Sequence, residues 1–158
     1  MANRVRWDQY EAAILLDEKI IDSTGRLDES FGEGFSLTEH ITLTQDDIRA
    51  VQLAKAAIRA SLDTLLITAG ADMNEVDRLL ISGGFGYYLD PEKAGRIGLL
   101  PSAQNVQVLG NTSLKGAEVS LYEDNFFDRA EKLAGSAEYS ELGDNDEFKR
   151  RFIGYIDF

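Results

Sequence analysis

Two short strand-like runs in the second half of the chain each end at glycine and continue into a segment with helix signals. The first run covers residues 76–81 and is followed by Gly83 and Gly84. The second covers residues 106–109 and is followed by Gly110. Strands that repeatedly pass into helices favour an α/β fold with parallel strand pairing. We therefore predict a mixed sheet flanked by helices, in a chain of 158 residues that is long enough for about one domain.

The segment before these runs carries the strongest helix signal. Thr44 is placed to cap a helix, Asp46 and Asp47 suit the positive end of its dipole, and Gly70 is placed to end it. Apolar residues recur at three- and four-residue steps, which predicts one buried stripe. The stripe consists of Ile48, Val51, Ala54, Ile58, Leu62, Leu65 and Ala69.

The rest of the chain is assigned from shorter signals. Residues 10–21 suit a buried strand, with a helix as the alternative, and residues 22–36 predict an exposed loop or hairpin tip. We assign residues 1–43 to the N-terminal strands and exposed loop of the same domain, and 44–158 to its main body. Further predictions are a small sheet closed by 41–43, helices from Asp90, Thr112, Phe126 and Asp144, and an edge strand over 137–142.

Composition excludes several classes of protein. The net charge of −12 disfavours binding to nucleic acid or to an anionic membrane surface. The absence of cysteine excludes disulfides, thiol catalysis and a cysteine-held iron–sulfur cluster in this chain, and the single His40 excludes a multi-histidine metal site. No apolar run approaches the roughly 20 residues that a membrane helix needs, and we expect a cytoplasmic protein.

The glycine pair Gly83 and Gly84 is the sharpest candidate for a binding site. Bare backbone directly after a strand lets a nucleotide or sugar lie against the main chain, and Tyr87 or Tyr88 could stack on a base. The alternative is a tight strand-to-helix turn with no ligand. The spacing matches neither a P-loop nor the dinucleotide fingerprint.

Two other features are weaker candidates. Residues 110–117 form a second glycine turn at a helix start, where Gly116 favours close packing against the sheet over anion binding. Lys55 and Arg59 lie one helical turn apart, off the predicted stripe. They could reach a phosphate or ribose, but we favour a solvated helix face for both side chains. We predict no catalytic residue and no metal ligand.

Five short segments of this sequence, taken in the order in which they occur, resemble the C-terminal part of the reductive activators of corrinoid-dependent proteins. That family belongs to the ASKHA superfamily, which includes acetate kinase, sugar kinases, heat-shock chaperones and actin. The match is close over about residues 41–122. The segments are Ile41–Ile48, Gln52–Ile58, Ser82–Asp90, Ile97–Pro101 and Val108–Ala117.

The resemblance implies a ribonuclease H-like, actin-like ATPase subdomain. It implies that Gly83, Gly84, Phe85 and Gly86 line an adenosine pocket, with Lys55 as a weaker candidate near the nucleotide. Full-length members carry a [2Fe–2S] domain and use ATP with Mg²⁺ to return a Co(II) corrinoid protein to Co(I). The implied partner is a corrinoid iron–sulfur protein or a corrinoid methyltransferase component, and a homodimer is left open.

The sequence departs from the full family pattern at two points. It has no cysteine to hold the cluster, and it lacks the Asp-x-Gly-Thr phosphate loop of the first subdomain. We therefore expect the nucleotide-binding part of a longer activator, inactive by itself. Two alternatives stay open: half of a small-molecule kinase of the same superfamily, or a non-enzymatic docking or dimerisation module, which the acidic flanks and the loop over 22–36 would suit.

Overall fold

The computed structural model describes residues 20–101 and 105–158, which form two compact units. Only the last two residues of the strand predicted over 10–21 lie within the described residues, and the domain boundary at residue 43 stays a prediction. Among the described residues, the first unit comprises 20–73, 90–101 and 142–158, and the second comprises 74–89 and 105–141.

Four strands and six α-helices follow one another in the described part of the chain, an α/β arrangement with two short 3-10 helices at Glu29–Phe31 and Met73–Glu75. In chain order they are β1 (Phe35–Thr38), β2 (Ile41–Leu43), α1 (Gln45–Thr68), β3 (Leu79–Ser82), α2 (Gly83–Tyr88), α3 (Pro91–Arg96), β4 (Val106–Gly110), α4 (Thr112–Val119), α5 (Phe126–Gly135) and α6 (Asp146–Gly154).

Helix α1 begins and ends where the local signals predict. The Thr44 hydroxyl accepts a hydrogen bond from the Asp47 backbone N–H, and the Asp47 carboxylate accepts one from the Thr44 backbone N–H at 2.9 Å. The hydroxyl and backbone N–H of Thr44 both hold the pKa of Asp47 below its usual value. At the other end, Gly70 has φ +68°, and the Ala71 N–H donates to the Leu66 carbonyl, which closes a Schellman turn.

The buried face of α1 differs from the predicted stripe, and that prediction is wrong. Ile58 and Leu65 of the stripe are exposed. The helix buries a mostly small or polar face because backbone carbonyls of other segments of the first unit lie there to accept hydrogen bonds. The buried residues of α1 are Ile48, Gln52, Lys55, Ala56, Ala60 and Thr64.

The hydrophobic core of the first unit lies beside the N-terminal half of α1. Ile21, Leu27 and Ile48 are buried there, and Ile21 pairs with Leu27 in an antiparallel bridge. Strands β1 and β2 form an antiparallel hairpin, which confirms the small sheet predicted at 41–43. The half-buried apolar residues packed on this core are Ile20, Phe31, Phe35, Leu43, Val51, Ile97 and Phe158.

Two glutamine amides of α1 hold the loop that precedes the hairpin. Gln45 donates to the Gly25 carbonyl at 2.7 Å, and Gln52 donates to the Thr24 carbonyl at 2.9 Å. Gly25 has φ +81°, and a β-carbon there would collide with the Gln52 amide. The segment predicted as an exposed loop over 22–36 is therefore anchored on α1 through its backbone.

The second unit is built on a parallel pair of strands. β3 pairs with β4 in register Leu79 with Val106 and Ile81 with Val108, which confirms the predicted parallel pairing. Helix α2 contacts both strands. Two predictions for this unit are wrong: Leu80 is half exposed, so β3 is not a buried strand, and residues 137–142 form no strand among the described residues.

We expect Gly25→Ala and Gln52→Ala to be coupled in their effects on stability. Each alone should lower the free energy of unfolding by about 1–3 kcal/mol, through backbone strain at one site and an unsatisfied carbonyl at the other. Gln52→Ala vacates the space that the new β-carbon needs. The free energy of unfolding lost in the double variant should therefore be smaller than the sum of the two single losses, by at least about 0.5 kcal/mol. Denaturant unfolding of all four proteins measures this, and additive losses would contradict the packing described.

Candidate functional site

The two glycine turns lie side by side at one end of the parallel strand pair. Ser82, the last residue of β3, pairs with Gly110, the last residue of β4. Helix α2 begins directly after Ser82, and α4 begins at Thr112 after the N-cap Asn111. Both turns therefore lie at the carboxyl edge of the strands, where ligands bind in open α/β sheets.

Gly83 and Gly84 leave open space above their backbone, and we call them the open glycine pair. Gly83 has φ +94°, a conformation that suits glycine, whereas the φ of Gly84 lies outside the left-handed region. A β-carbon at either position would meet no other atom within 4 Å among the described residues. Among the described residues, therefore, neither backbone conformation nor packing requires glycine at position 84.

Gly86 differs from the open glycine pair because packing accounts for it. It is buried, and a β-carbon on it would lie 2.6 Å from Cγ2 of Ile81. The missing side chain therefore lets α2 approach β3 closely. Through this contact Gly86 fixes the helix that begins with the open glycine pair.

Aromatic side chains surround the turn. Phe85 is 71% exposed, and Tyr87 and Tyr88 meet edge to face with ring centroids 4.9 Å apart. A β-carbon on Gly110 would come within 3.3 Å of Cδ2 of Tyr87, so the Tyr87 ring lies against bare backbone of the second turn. Phe85 follows the glycine pair directly and offers it an exposed aromatic ring.

The second glycine turn serves packing and helix capping. The Asn111 side chain accepts a hydrogen bond from the Leu114 backbone N–H at 3.0 Å, which caps α4. A β-carbon on Gly116 would lie 3.9 Å from Cζ of Phe126. This is an ordinary van der Waals distance, so the prediction that glycine at 116 permits close packing against the sheet is wrong: the nearest neighbour is Phe126 of α5, and a side chain would fit.

Lys55 lies in the first unit and is only 2% exposed, so the prediction of a solvated side chain is wrong. Its ammonium donates to the carbonyls of Tyr155 at 2.8 Å and Asp157 at 2.6 Å, and lies 5.0 Å from the centre of the Phe158 ring. Burial lowers the pKa of Lys55, and the Asp157 carboxylate raises it by a smaller amount. The side chain fastens residues 155–158 to α1.

Arg59 and Asp63 continue this attachment along the same helix. Arg59 forms an ion pair with Asp63 at 3.2 Å and lies over the Tyr155 ring. The Asp63 carboxylate also accepts hydrogen bonds from Arg151 and from the Tyr155 hydroxyl. Sequence reasoning missed this cluster, although Arg59 and Asp63 at a four-residue step are a recognisable ion-pair signal.

The remaining sequence candidates form no site. His40 is exposed, and its Nε2 lies 3.1 Å from Oε1 of Glu39. Within 20–101 and 105–158, no three acidic or histidine side chains come together in a way that could hold a metal ion. None of the helices over these residues is both long enough and apolar enough to cross a membrane.

Comparison with known proteins gives one family for almost the whole chain. The model of the C-terminal domain of RACo, the ASKHA domain, matches residues 12–158. A solved structure named reductive activator for corrinoid, iron–sulfur protein superposes with a TM-score of 0.79 at 30% identity, over 93% of this chain and 27% of that chain. The actin-like fold expected from the sequence is thereby confirmed.

Two curated relatives agree with this match. The corrinoid activation enzyme RamQ of Eubacterium limosum is 42% identical over 83 residues, 51% of this chain and 14% of that protein. The [Co(II) methylated amine-specific corrinoid protein] reductase of Methanosarcina barkeri is 33% identical over 95 residues, 60% of this chain and 18% of that protein. The chain thus spans less than a fifth of either relative in these alignments.

We expect Lys55→Met to lower the free energy of unfolding by about 1.5–3 kcal/mol, because two carbonyls lose a charged donor. The loss should grow as the pH rises toward 10.5, the ordinary value for lysine. Between the lowered pKa of Lys55 in the folded protein and 10.5, the unfolded chain binds more protons at this residue than the folded one. The contribution of Lys55 to the free energy of unfolding of the wild-type protein therefore increases with pH in this window. Unfolding curves across this range measure the effect, with Lys115→Met as the exposed control. A loss no larger than that of the control would contradict the assignment.

Proposed function

The chain belongs to the family of the C-terminal ASKHA domain of RACo, and from this premise we propose that it is the nucleotide-binding part of an ATP-dependent reductive activator of corrinoid proteins. In the proposed reaction one electron passes from a reduced [2Fe–2S] cluster to Co(II) and yields Co(I). The acceptor is a corrinoid iron–sulfur protein or a corrinoid methyltransferase component. Two similar proteins, one named a reductase of a corrinoid protein and one named a reductive activator for a corrinoid, iron–sulfur protein, support the class of acceptor.

We assign the cluster to polypeptide outside this sequence. The 158 residues contain no cysteine, so they offer no thiolate ligand. The aligned activator whose structure is solved is several times longer, since this chain covers 27% of it. The proposal therefore gives electron transfer and nucleotide binding to different parts of one protein.

We propose that the adenosine of the nucleotide lies on the open glycine pair. The observation that carries this is Gly84, whose missing side chain has no explanation in backbone conformation or in packing within the described residues. Phe85 offers an exposed ring for stacking, and Gly86 supports the turn by letting α2 lie against β3. Lys55 stays a weaker candidate, because its ammonium already donates two hydrogen bonds in the first unit.

Phosphate and Mg²⁺ contacts are assigned to the rest of the longer protein. Cleavage of ATP requires charge stabilisation around the transferred phosphoryl group from groups on both sides. The chain has no phosphate loop of the Asp-x-Gly-Thr type. Its proposed contribution is to bind and orient the nucleoside, so the separate chain should not turn over ATP.

We expect Gly84→Val to weaken binding of ADP by the natural polypeptide that contains this chain by at least about tenfold, because branched carbons would occupy the space of the nucleoside. Titration calorimetry with ADP measures the affinity. Gly135→Val is the matched control, since Gly135 also lies in a helix of the second unit with open space around it. Lys115→Ala should leave the affinity within about twofold. Unchanged affinity in Gly84→Val, with an intact fold, would place the nucleotide elsewhere.

The activity itself is tested by ATP-dependent reduction of a Co(II) corrinoid protein, followed by the absorbance of Co(I). We expect the natural polypeptide to require ATP and an electron donor, and Gly84→Val to slow the ATP-driven rate at subsaturating ATP. ATP-dependent phosphorylation of a small acid or sugar, with no cobalt reduction, would favour the kinase alternative. Absence of nucleotide binding would favour the docking module.

A further inference from the structure

Helix α2 has little tendency to form by itself, although it begins with the open glycine pair. Three of its six residues, Gly83, Gly84 and Gly86, are glycine, which is among the poorest helix-forming residues. The side chain of its N-cap residue, Ser82, makes no capping hydrogen bond among the described residues. Contacts with the two strands must therefore hold α2 in place.

Two contacts attach α2 to the strand pair. One is the close approach of Gly86 to Ile81 of β3. The other is made by the ring of Tyr87, which lies against bare backbone at Gly110 of β4. A β-carbon on Gly110 would lie 3.3 Å from Cδ2 and 3.8 Å from Cε2 of Tyr87, and its chain neighbours apart, no other described residue comes within 4 Å of that position. Tyr87 is therefore the side chain that links α2 to the second glycine turn.

The second glycine turn gives this ring a fixed support. The pairing of the strands shifts by one residue at their ends, because Ile81 pairs with Val108 whereas Ser82 pairs with Gly110. A shift of this kind bends a strand and redirects the residues beside it. Gly110 has φ +72°, and the side chain of Asn111 caps α4 directly after it. Strand pairing on one side and a helix cap on the other thus hold the backbone on which the ring lies.

We infer that Tyr87 is a positioning residue for the proposed adenosine site. Its ring sets the place of α2 against Gly110, and α2 begins with the backbone of Gly83 and Gly84, on which the nucleoside would lie. Tyr87 is 61% exposed, so its removal leaves no cavity and should hardly change the stability of the whole protein. The inference rests on the proposed function, since it assigns Tyr87 a role at that site.

The main alternative is a direct role, in which the ring of Tyr87 stacks on the base. A stacking ring acts only when the nucleotide is bound, whereas a positioning ring orders residues 83–88 before binding. The two roles therefore make different predictions for the nucleotide-free protein. The contact with Gly110 is made within the protein itself, which favours the positioning role.

The first test compares ADP binding by three variants of the natural polypeptide that contains this chain, measured by titration calorimetry. Tyr87→Ala should weaken binding by at least about fivefold, the factor expected if the turn is ordered about a fifth of the time. Tyr87→Phe keeps the ring and should restore the affinity to within about twofold of wild type. Tyr88→Ala is the matched control, because it removes a 74% exposed ring from the same helix and leaves the contact with Gly110. It should also stay within about twofold.

The second test is amide hydrogen exchange in the nucleotide-free polypeptide. Tyr87→Ala should speed exchange at 83–88 by at least about fivefold, and Tyr87→Phe should not. Unchanged exchange in Tyr87→Ala would overturn the inference even if ADP binding weakened, because the loss would then come from direct contact with the base. Equal losses of affinity in Tyr87→Ala and Tyr88→Ala would also overturn it.

Failure of this inference is distinguishable from failure of the proposed function. If Gly84→Val weakens ADP binding and Tyr87→Ala does not, the adenosine site stands and the positioning role is wrong. If the wild-type polypeptide binds no ADP, the adenosine site itself is wrong, and the exchange measurement still decides whether Tyr87 orders the turn.

Discussion

The hydrogen bonding of one helix face organises the first unit. Gln52, Lys55 and Asp63 of α1 are buried or nearly so, and each reaches a different segment: the loop at Thr24, the carbonyls of 155–157, and the side chains of Arg151 and Tyr155. Burial of such groups is costly unless each finds a partner, so the segments must take up one arrangement for the helix to be buried at all. The face therefore specifies how the unit is assembled as well as stabilising it.

Local signals in the sequence were sufficient for both ends of α1 and for the start of α3. Thr44 with Asp47, Asp90 with Pro91, and Gly70 each act within four residues, so their roles do not depend on distant contacts. The prediction of the apolar stripe on α1 was wrong for the opposite reason. Periodicity shows that Ile58 and Leu65 share a face with other apolar residues, but not whether another segment lies there, and the partners of α1 instead offer backbone carbonyls to its other side.

The candidate site was predictable in position but not in the role of each residue. A glycine pair after a strand marks the turn, yet only the packing separates Gly86, which Ile81 requires, from Gly84, which no neighbour requires. Lys55 could not be assigned from sequence, since buried lysines are rare and its carbonyl partners lie about 100 residues further along the chain. The adjacency of the two turns likewise needs the pairing of Ser82 with Gly110.

The proposed adenosine site depends on the order of β3, because the open glycine pair follows directly on that strand. Among its described residues the second unit buries only Gly86, so its free energy of unfolding should be low. A ligand that binds only the ordered turn must then also supply the free energy of ordering it, and its apparent affinity falls accordingly.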